Sequence, residues 1–373
     1  MAEELFIGLE GLGWDSYFQE QFQSLMTPGS VPARVISEQK NSYRVYSSYG
    51  EVAARVSGKI QYKAWTRDQY PSVGDWVVVR LRAGENNGVI QEILPRKSRF
   101  SRQISGGRRR LSGGRTEEQV VAANVDTIFI VNGLDGGRNL SLRRIERYLT
   151  IAWGSGALPV IILNKADLCQ DLDARISEVE LVMSGVAVHA VSALERMGLE
   201  EIKQYLIRGK TGAFLGPSGV GKSAIINALL GEERQQVRAV RDSDLRGRHT
   251  TTRRELFLLP DGGAVIDTPG MREIQVWSDE DGLRDAFSDI ERIARQCRFP
   301  DCKHLDEPRC AIKAAIQRGE LDDARFQNYQ KLQQELDYLA ARQDNRTRLE
   351  EKTKWKRIAQ WSRQIQKFKR RNG

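Results

Sequence analysis

A glycine-rich loop between an apolar run and a helical run constrains the fold of this chain more than any other feature. It follows residues 211–215 and opens a helix predicted over 222–230. The pattern GxxxxGKS in this context is typical of a phosphate-binding loop, in which backbone N–H groups wrap phosphates at a helix N-terminus. The predicted phosphate-binding residues are Gly216, Pro217, Ser218, Gly219, Val220, Gly221, Lys222, Ser223 and Ala224. A chance match is the alternative, and the flanking strand and helix argue against it.

A second motif supplies the groups that such a loop needs for a magnesium-bound triphosphate. Lys222 is expected to reach the β- and γ-phosphate oxygens, and the Ser223 hydroxyl to bind magnesium. The sequence Asp-Thr-Pro-Gly begins at Asp267, at the end of an apolar run. Asp267 is predicted to hold magnesium through water, and the Gly270 N–H to meet the γ-phosphate. Asp and Pro-Gly also form simple turns, which is the alternative.

Guanine selectivity is predicted from two motifs at successive strand ends. Asn-Lys-Ala-Asp follows the run 159–163, and Ser-Ala-Leu follows the run 186–191. A carboxylate accepts from guanine N1–H and its exocyclic amine, a pattern that adenine lacks, so an unpaired acid would disfavour adenine. The predicted base-binding residues are Asn164, Lys165, Ala166, Asp167, Ser192 and Ala193.

Pattern changes along the chain predict a multidomain fold. Strand-like and helical runs alternate over 121–278, which favours an α/β domain with a mainly parallel sheet. Five short β-rich runs separated by turn signals over 31–103 predict a barrel of the OB type. The other expected segments are a leader over 1–30, a basic glycine-rich linker over 104–120, a mainly helical zinc domain over 279–340 and a basic helix over 341–373.

Cations and aromatic residues are interleaved along the predicted barrel, as in barrels that bind nucleic acids. They are Arg34, Tyr43, Arg44, Tyr46, Arg55, Tyr62, Lys63 and Trp65. The sequence therefore predicts RNA contact here, with a generic β-domain as the alternative. The stretch Ser105–Arg115 is either a plain linker or a basic loop that orders against RNA.

Four cysteines in a long chain do not make a disulfide framework, and three of them cluster with a histidine. Cys297, Cys302, His304 and Cys310 lie within 14 residues. Three thiolates and one imidazole suit a closed tetrahedral zinc site, which predicts a structural ion. Four unrelated residues in one loop are the alternative. Cys169 is interpreted as a packing residue.

Charge is concentrated at the end of the chain. The formal net charge is +9, and Ala341–Gly373 holds 12 lysines and arginines against three acids. A basic arm indicates an anionic polymer partner, or else a solvated charged helix. The longest apolar runs are too short to span a membrane, so a cytoplasmic protein without membrane contact is predicted, and a monomer is expected.

Taken in chain order, the motifs NKAD, SAL, GPSGVGKS, GRHTTT and DTPG resemble the ribosome small-subunit-dependent GTPase A family over residues 30–340. Asn164 precedes Gly216 by 52 positions, whereas ordinary GTPases have the phosphate loop first, so the order is circularly permuted. The resemblance implies a GTPase that hydrolyses GTP to GDP and phosphate, binds the small ribosomal subunit and its rRNA, and assists late maturation of that subunit. It also implies zinc ligands in the arrangement found here.

The GRHTTT motif lies in a long polar stretch where a mobile switch belongs. Thr250 or Thr251 is expected to close on magnesium and the γ-phosphate. Met271 follows Gly270 and cannot orient the attacking water, so another group must do so. His249 is the candidate, from its place in the switch and because the family it resembles has a histidine there. A surface histidine without catalytic duty is the alternative.

Two other functions remain open from sequence. An RNA-binding scaffold would use the site as a slow guanine-nucleotide occupancy switch. An ATP-using P-loop kinase is disfavoured by NKAD and by the absence of an acceptor-domain signal.

Overall fold

The computed structural model divides the chain into two compact units, one ending at Glu291 and the other beginning at Arg292. It describes residues 8–39, 42–64, 66–81, 86–105, 116–136, 140–183, 185–231, 254–268, 280–305 and 307–341. Among these residues, no helix combines the length and apolar character needed to cross a membrane.

A five-stranded barrel forms the first part of the first unit. Its elements are helix α1 (Ser16–Leu25) and strands β1 (Ser30–Gln39), β2 (Ser42–Ser47) and β3 (Gly50–Val56), then helix α2 (Gly58–Lys63) and strands β4 (Trp76–Leu81) and β5 (Asn87–Ile93). The order β1-β2-β3-β5-β4 closes because β1 also pairs with β4. Alternate residues of β2 are buried, as expected for a strand with one face on a core. The predicted OB-type barrel is confirmed.

The N-terminal stretch packs against this barrel. The Asp15 side chain caps α1 by accepting from the Phe18 N–H at 3.3 Å. Phe18 is buried, and its ring centroid lies 5.8 Å from that of Trp76 on β4. The ring centroids of Trp14 and Trp76 are 4.7 Å apart. The stretch predicted as a leader thus contributes aromatic side chains to a core.

A hairpin follows the barrel. Strands β6 (Arg99–Ser105) and β7 (Thr116–Ala123) pair antiparallel. The range 104–120, predicted as a linker, therefore contains strand at both ends, and residues 106–115 lie outside the described residues.

The rest of the first unit is an α/β domain. Its strands are β8 (Thr127–Gly133), β9 (Leu158–Asn164), β10 (Ala187–Val191), β11 (Thr211–Leu215), β12 (Glu255–Leu258) and β13 (Ala264–Asp267). Its helices are α3 (Leu142–Gly154), α4 (Leu172–Val182), α5 (Leu199–Lys203), α6 (Lys222–Leu230) and α7 (Glu280–Ala286), followed by α8 (Ser288–Ala294), in which the unit ends. The strand order is β10-β9-β8-β11-β13-β12, parallel except for β12. The predicted α/β fold is confirmed, and the sheet places the carboxyl ends of β9, β10, β11 and β13 along one edge.

One buried arginine joins the barrel to the α/β domain. Arg34 on β1 donates to the carbonyl oxygens of Leu12, Gly74 and Asn124 and, at 2.9 Å, to the Thr211 hydroxyl at the start of β11. Burial lowers its pKa to about 10, and the charges of Asp126 and Asp75 oppose that shift. The sequence prediction that Arg34 and Tyr43 contact RNA is therefore wrong, because both side chains are buried.

The second unit is mainly helical, as predicted. It contains α9 (Ala311–Gln317) and α10, which covers residues 323–341. Apolar side chains of both helices and of the connection between them are buried, namely Ile312, Ala315, Leu321, Phe326, Leu332 and Leu336. The predicted basic helix over 341–373 lies outside the described residues beyond residue 341.

Candidate nucleotide site and metal centre

The glycine-rich loop lies between β11 and α6 and is held closely by its neighbours. A Cβ on Gly216 would meet the Val131 carbonyl oxygen of β8 at 2.4 Å. Gly221 has a φ of +95°, and a Cβ there would lie 2.2 Å from Asn164 Nδ2. Both positions therefore require glycine for close approach, and Gly221 also for its left-handed backbone. Ser218 and Gly219 at the tip of the loop are exposed.

Asn164 brings the loop and the two predicted base-binding motifs together. Its side chain is buried at the end of β9, and Nδ2 donates to the Val220 carbonyl oxygen at 2.7 Å. Its Oδ1 accepts from the Ala193 N–H at 3.2 Å. One amide thus bridges segments that are 29 and 56 residues away in sequence. The sheet order explains this, since β9 and β10 are neighbours and their ends share an edge with β11.

The residues after Asn164 form a short turn at the surface. Asp167 is exposed, in a short 3-10 turn over Ala166–Leu168, and Ala166 is buried beneath it. Lys165 has a left-handed backbone, and its ammonium lies 2.5 Å from an Asp135 carboxylate oxygen. Ser192 is buried, and its hydroxyl accepts from the Glu195 N–H at 3.1 Å, which fixes the turn after β10.

Lys222 and Asp267 define the electrostatics at the phosphate end. The Lys222 ammonium donates to the carbonyl oxygens of Gly216 and Pro217, each at 2.7 Å. Burial lowers its pKa to about 8, and the charge of Asp267 opposes the shift. Burial raises the pKa of Asp267, and Lys222 and the Thr268 N–H oppose that shift. A half-buried cation and a buried carboxylate thus influence each other's pKa at this end of the site, as is common where charged ligands bind.

The Asp267 motif is anchored to the strand that leads into the loop. The Thr268 hydroxyl donates to the Phe214 carbonyl oxygen of β11 at 2.7 Å, and Thr268 is buried. Ser223 and Ala224 lie in the first turn of α6, both partly exposed. Gly270, His249, Thr250 and Thr251 lie outside the described residues.

Sequence reasoning missed Asp135 as part of this site. The residue stands two positions after β8, and its carboxylate is the partner of Lys165. The available signal was an acid just after a buried strand. The position of that strand between β9 and β11 could not be read from the chain order.

In the second unit, four side chains converge on one point. The ligand atoms of Cys297, Cys302, His304 and Cys310 lie within 4.8 Å of one another. His304 Nδ1 is 3.6 Å from Cys297 Sγ and 3.4 Å from Cys310 Sγ. Ligands about 2.0 to 2.3 Å from a tetrahedral ion would be about 3.5 to 3.8 Å apart, and the two distances to His304 are close to these values, so the cluster could hold one metal ion.

Backbone conformation supports this convergence. His304 adopts a left-handed φ of +61°, which is uncommon outside glycine. Cys310 is buried at the N-cap of α9, and the Ala311 N–H donates to Cys297 Sγ at 3.3 Å. Cys169, as predicted, takes no part in the cluster.

Fold and site together define a P-loop GTPase whose motifs are circularly permuted. The model of the RsgA GTPase family matches residues 93–277. A Small ribosomal subunit biogenesis GTPase RsgA from Opitutus terrae is 43% identical over 364 residues, which cover 95% of this chain and 97% of that relative. The chain belongs to the RsgA GTPase family.

Solved structures agree with the fold. The crystal structure of YjeQ from Thermotoga maritima is similar with a TM-score of 0.60 and 30% identity, covering 82% of this chain and 98% of that one. The crystal structure of YloQ, a circularly permuted GTPase, is similar with a TM-score of 0.58 and 24% identity. The match covers 83% of this chain and 95% of the YloQ chain. The predicted family and the permuted order of the fold are thereby confirmed.

Proposed function

We propose that this GTPase acts on the small ribosomal subunit, which stimulates its hydrolysis of GTP to GDP and phosphate during late maturation of that subunit. The observation that carries the proposal is the Asn164 bridge, which joins the phosphate loop to the guanine-recognition motifs. The relative from Opitutus terrae is named for biogenesis of the same subunit. Such a role would place the protein in the cytoplasm, and a monomer remains our prediction.

The phosphate end of the site would work through backbone and charge. Residues Gly216 to Gly221 would present N–H groups to the phosphates, and Lys222 would leave its loop carbonyls for the β- and γ-oxygens. Ser223 and Asp267 would hold magnesium, directly and through water. Magnesium neutralises the charge that develops on the phosphates during transfer. The pKa of Lys222 is lowered and that of Asp267 is raised, and these opposite shifts support the two roles.

The base end would recognise guanine through Asp167. Its exposed carboxylate can accept from N1–H and the exocyclic amine. The backbone of the turn after β10 would supply a donor to the guanine carbonyl oxygen. Lys165, Ala166 and Ser192 would shape the pocket around the base. The Asn164 amide is already engaged on both sides, so its role would be to hold the segments together.

A titration of nucleotide affinity tests the role of Lys222. Its pKa of about 8 means that the ammonium is progressively lost above that pH, whereas a bound triphosphate favours the charged form. Below about pH 8 the Kd for GTP should be flat, and between about pH 8 and 9 it should rise by up to roughly tenfold. Calorimetry across this range in the presence of magnesium measures the change.

Lys222→Arg provides the matched control, because a guanidinium stays charged throughout this range. Its Kd, whatever its absolute value, should not vary with pH. An equal slope in the parent and in Lys222→Arg would show that another group titrates.

The switch residues extend the proposal. One of Thr250 and Thr251 would close on magnesium, the Gly270 N–H would meet the γ-phosphate, and His249 would orient the attacking water. His249→Ala is therefore expected to remove the stimulated part of turnover and leave the Kd for GTP within about twofold of the parent. Steady-state phosphate release with small subunits, paired with GTP calorimetry, measures both. Equal stimulated turnover in mutant and parent would reject His249.

RNA contact is proposed for the outer face of the barrel and for the basic tail. Arg55, Tyr62 and Lys63 are exposed, and Tyr62 retains 89% of its accessible surface. Exposed aromatic and cationic side chains can stack on bases and pair with phosphates. Arg44 is less suited, because it pairs with Glu51 and Glu255. In the second unit, we propose that the ion held by the cysteines and His304 is one structural zinc.

Turnover with and without purified small subunits tests the proposed function. A subunit-stimulated GTPase should release phosphate at least roughly tenfold faster when subunits are added. An RNA-binding scaffold with a slow occupancy switch should bind subunits with no change in turnover. Absence of both binding and stimulation would remove the ribosomal role altogether.

A further inference from the structure

A group of arginines lies where the hairpin, the barrel and β12 meet. The arginine cluster consists of Arg67 on the short 3-10 turn before β4, Arg102 on β6 and Arg254 just before β12. Backbone pairing sets their positions. Ser37 of β1 lies opposite Glu255, which brings Glu38 beside Arg254. The turn that carries Arg67 packs against β7, and Arg102 lies opposite Gln119 of the same strand.

The carboxylate of Glu38 interacts electrostatically with all three arginines. Arg254 Nη1 lies 3.7 Å from Glu38 Oε2 and donates to the Val120 carbonyl oxygen at 3.3 Å. Arg102 Nε donates to Gln119 Oε1 at 3.0 Å. Burial raises the pKa of Glu38, and the charges of Arg254, Arg67 and Arg102 oppose that shift. Three positive charges are thus shared by one half-buried acid.

The arginines also repel one another. Burial and, to a smaller extent, the charge of Arg102 lower the pKa of Arg254 to about 10, and the charge of Glu38 opposes the shift. Burial likewise lowers the pKa of Arg102, and Arg67 adds to the shift. An arrangement that served only to stabilise the fold would gain little from such repulsion, because one acid needs one partner.

Other acids near the cluster are engaged elsewhere. Asp75 forms a two-bond pair with Arg96, each bond 2.7 Å long, and Glu255 pairs with Arg44 at 2.6 Å. Glu118 Oε1 lies 3.9 Å from Arg99 Nε. The negative charges of Asp68 and Glu118 also favour the charged form of Arg96 and raise its pKa. Within the described part of the chain, the cluster therefore keeps an excess of two positive charges.

We propose that the arginine cluster is a binding site for a backbone phosphate of RNA. Guanidinium groups bind phosphate oxygens through paired N–H donors, and three that share one acid provide more donors than Glu38 can use. The cluster is accessible through Arg67, which is exposed, and Arg102, which is half-buried, whereas the Arg254 side chain is 12% exposed. RNA rather than a free anion fits the proposed ribosomal function, on which this inference rests.

The test compares two variants that each remove two positive charges. Arg67→Gln with Arg102→Gln weakens the cluster. Arg175→Gln with Arg318→Gln is the matched control, because each of these exposed arginines has its own acid, Glu178 or Glu320, at 2.7 Å. Binding to purified small subunits is measured at several salt concentrations with a non-hydrolysable GTP analogue bound.

Loss of one phosphate contact should make the plot of log affinity against log salt shallower by about one, with affinity reduced roughly tenfold at low salt. The control should keep the parent's slope. Arg67→Gln alone changes one exposed side chain. It should lower the salt slope and the affinity in the same direction as the double variant, but by a smaller amount. An unchanged slope in the cluster variant, or an equal change in the control, overturns the proposal.

Two further outcomes separate the alternatives. Inorganic polyphosphate offers the same chemistry without RNA, and the parent-to-variant ratio of affinities should be larger for subunits than for polyphosphate. Equal ratios would assign the cluster to free anions and overturn the assignment to RNA. If the parent itself does not bind small subunits, the proposed function fails, whereas binding that ignores these arginines refutes only the phosphate site.

Discussion

Replacing Asp167 with asparagine should exchange guanine for xanthine as the preferred base. The Asp167 carboxylate is exposed at the base end of the site and can accept from N1–H and the exocyclic amine of guanine. The NH2 group of an asparagine amide would face the exocyclic amine of guanine, and two donors cannot pair. In xanthine a carbonyl oxygen replaces that amine, and the same NH2 group could donate to it. A site built around one hydrogen-bonding pattern rejects its mismatch strongly, so GTP affinity should fall at least roughly hundredfold.

Competition against a fluorescent nucleotide measures this exchange, with GTP, xanthosine triphosphate and ATP as competitors. Asp173→Asn, on the exposed surface of α4, is a control that should keep the parent's preference. Loss of affinity for every nucleotide, without a gain for xanthosine triphosphate, would argue that Asp167 acts on the fold. Equal competition by ATP and GTP in the parent would favour the ATP-using alternative.

Replacing Cys302 with serine should release the metal ion from the second unit. The four ligand atoms lie within 4.8 Å of one another, and a serine hydroxyl is a poor substitute for a thiolate. Binding to such sites contributes on the order of 10 kcal/mol to folding in small metal-dependent domains, so loss of the ion should loosen α9 and α10. Metal analysis after dialysis should fall from about one zinc per chain to near zero.

Cys169→Ser is the matched control, since that cysteine lies outside the cluster. It should keep its zinc and the parent's hydrogen-exchange protection over residues 311–341. Retention of a full equivalent of zinc by Cys302→Ser would reject the ligand set. Zinc loss with unchanged protection would show that the ion does not stabilise the unit.

Much of the fold could be predicted because local patterns and tertiary structure agree. The loop before α6 combines glycines with a strand and a helix, and the structure explains two of those glycines by contacts with Val131 and Asn164. Strands β2 and β3 of the barrel show the period-2 burial expected from their sequence. The cysteine and histidine spacing needs only local chain geometry.

What escaped prediction depends on contacts between distant segments. Arg34 has the sequence character of an RNA-binding residue, yet carbonyl oxygens and a threonine hydroxyl satisfy its guanidinium in the interior. Asp135 became part of the site only through the position of β8 in the sheet. The arginine cluster likewise unites residues separated by up to 187 positions, and no local pattern marks it.

A crystal structure with magnesium and a non-hydrolysable GTP analogue would show whether one pocket binds both the phosphates and the base. We expect one nucleotide, with its phosphates on the loop from Gly216 to Ser223, Lys222 turned towards them, and the guanine edge against Asp167. A triphosphate on the loop with the base directed away from Asp167 and Ala193 would contradict it.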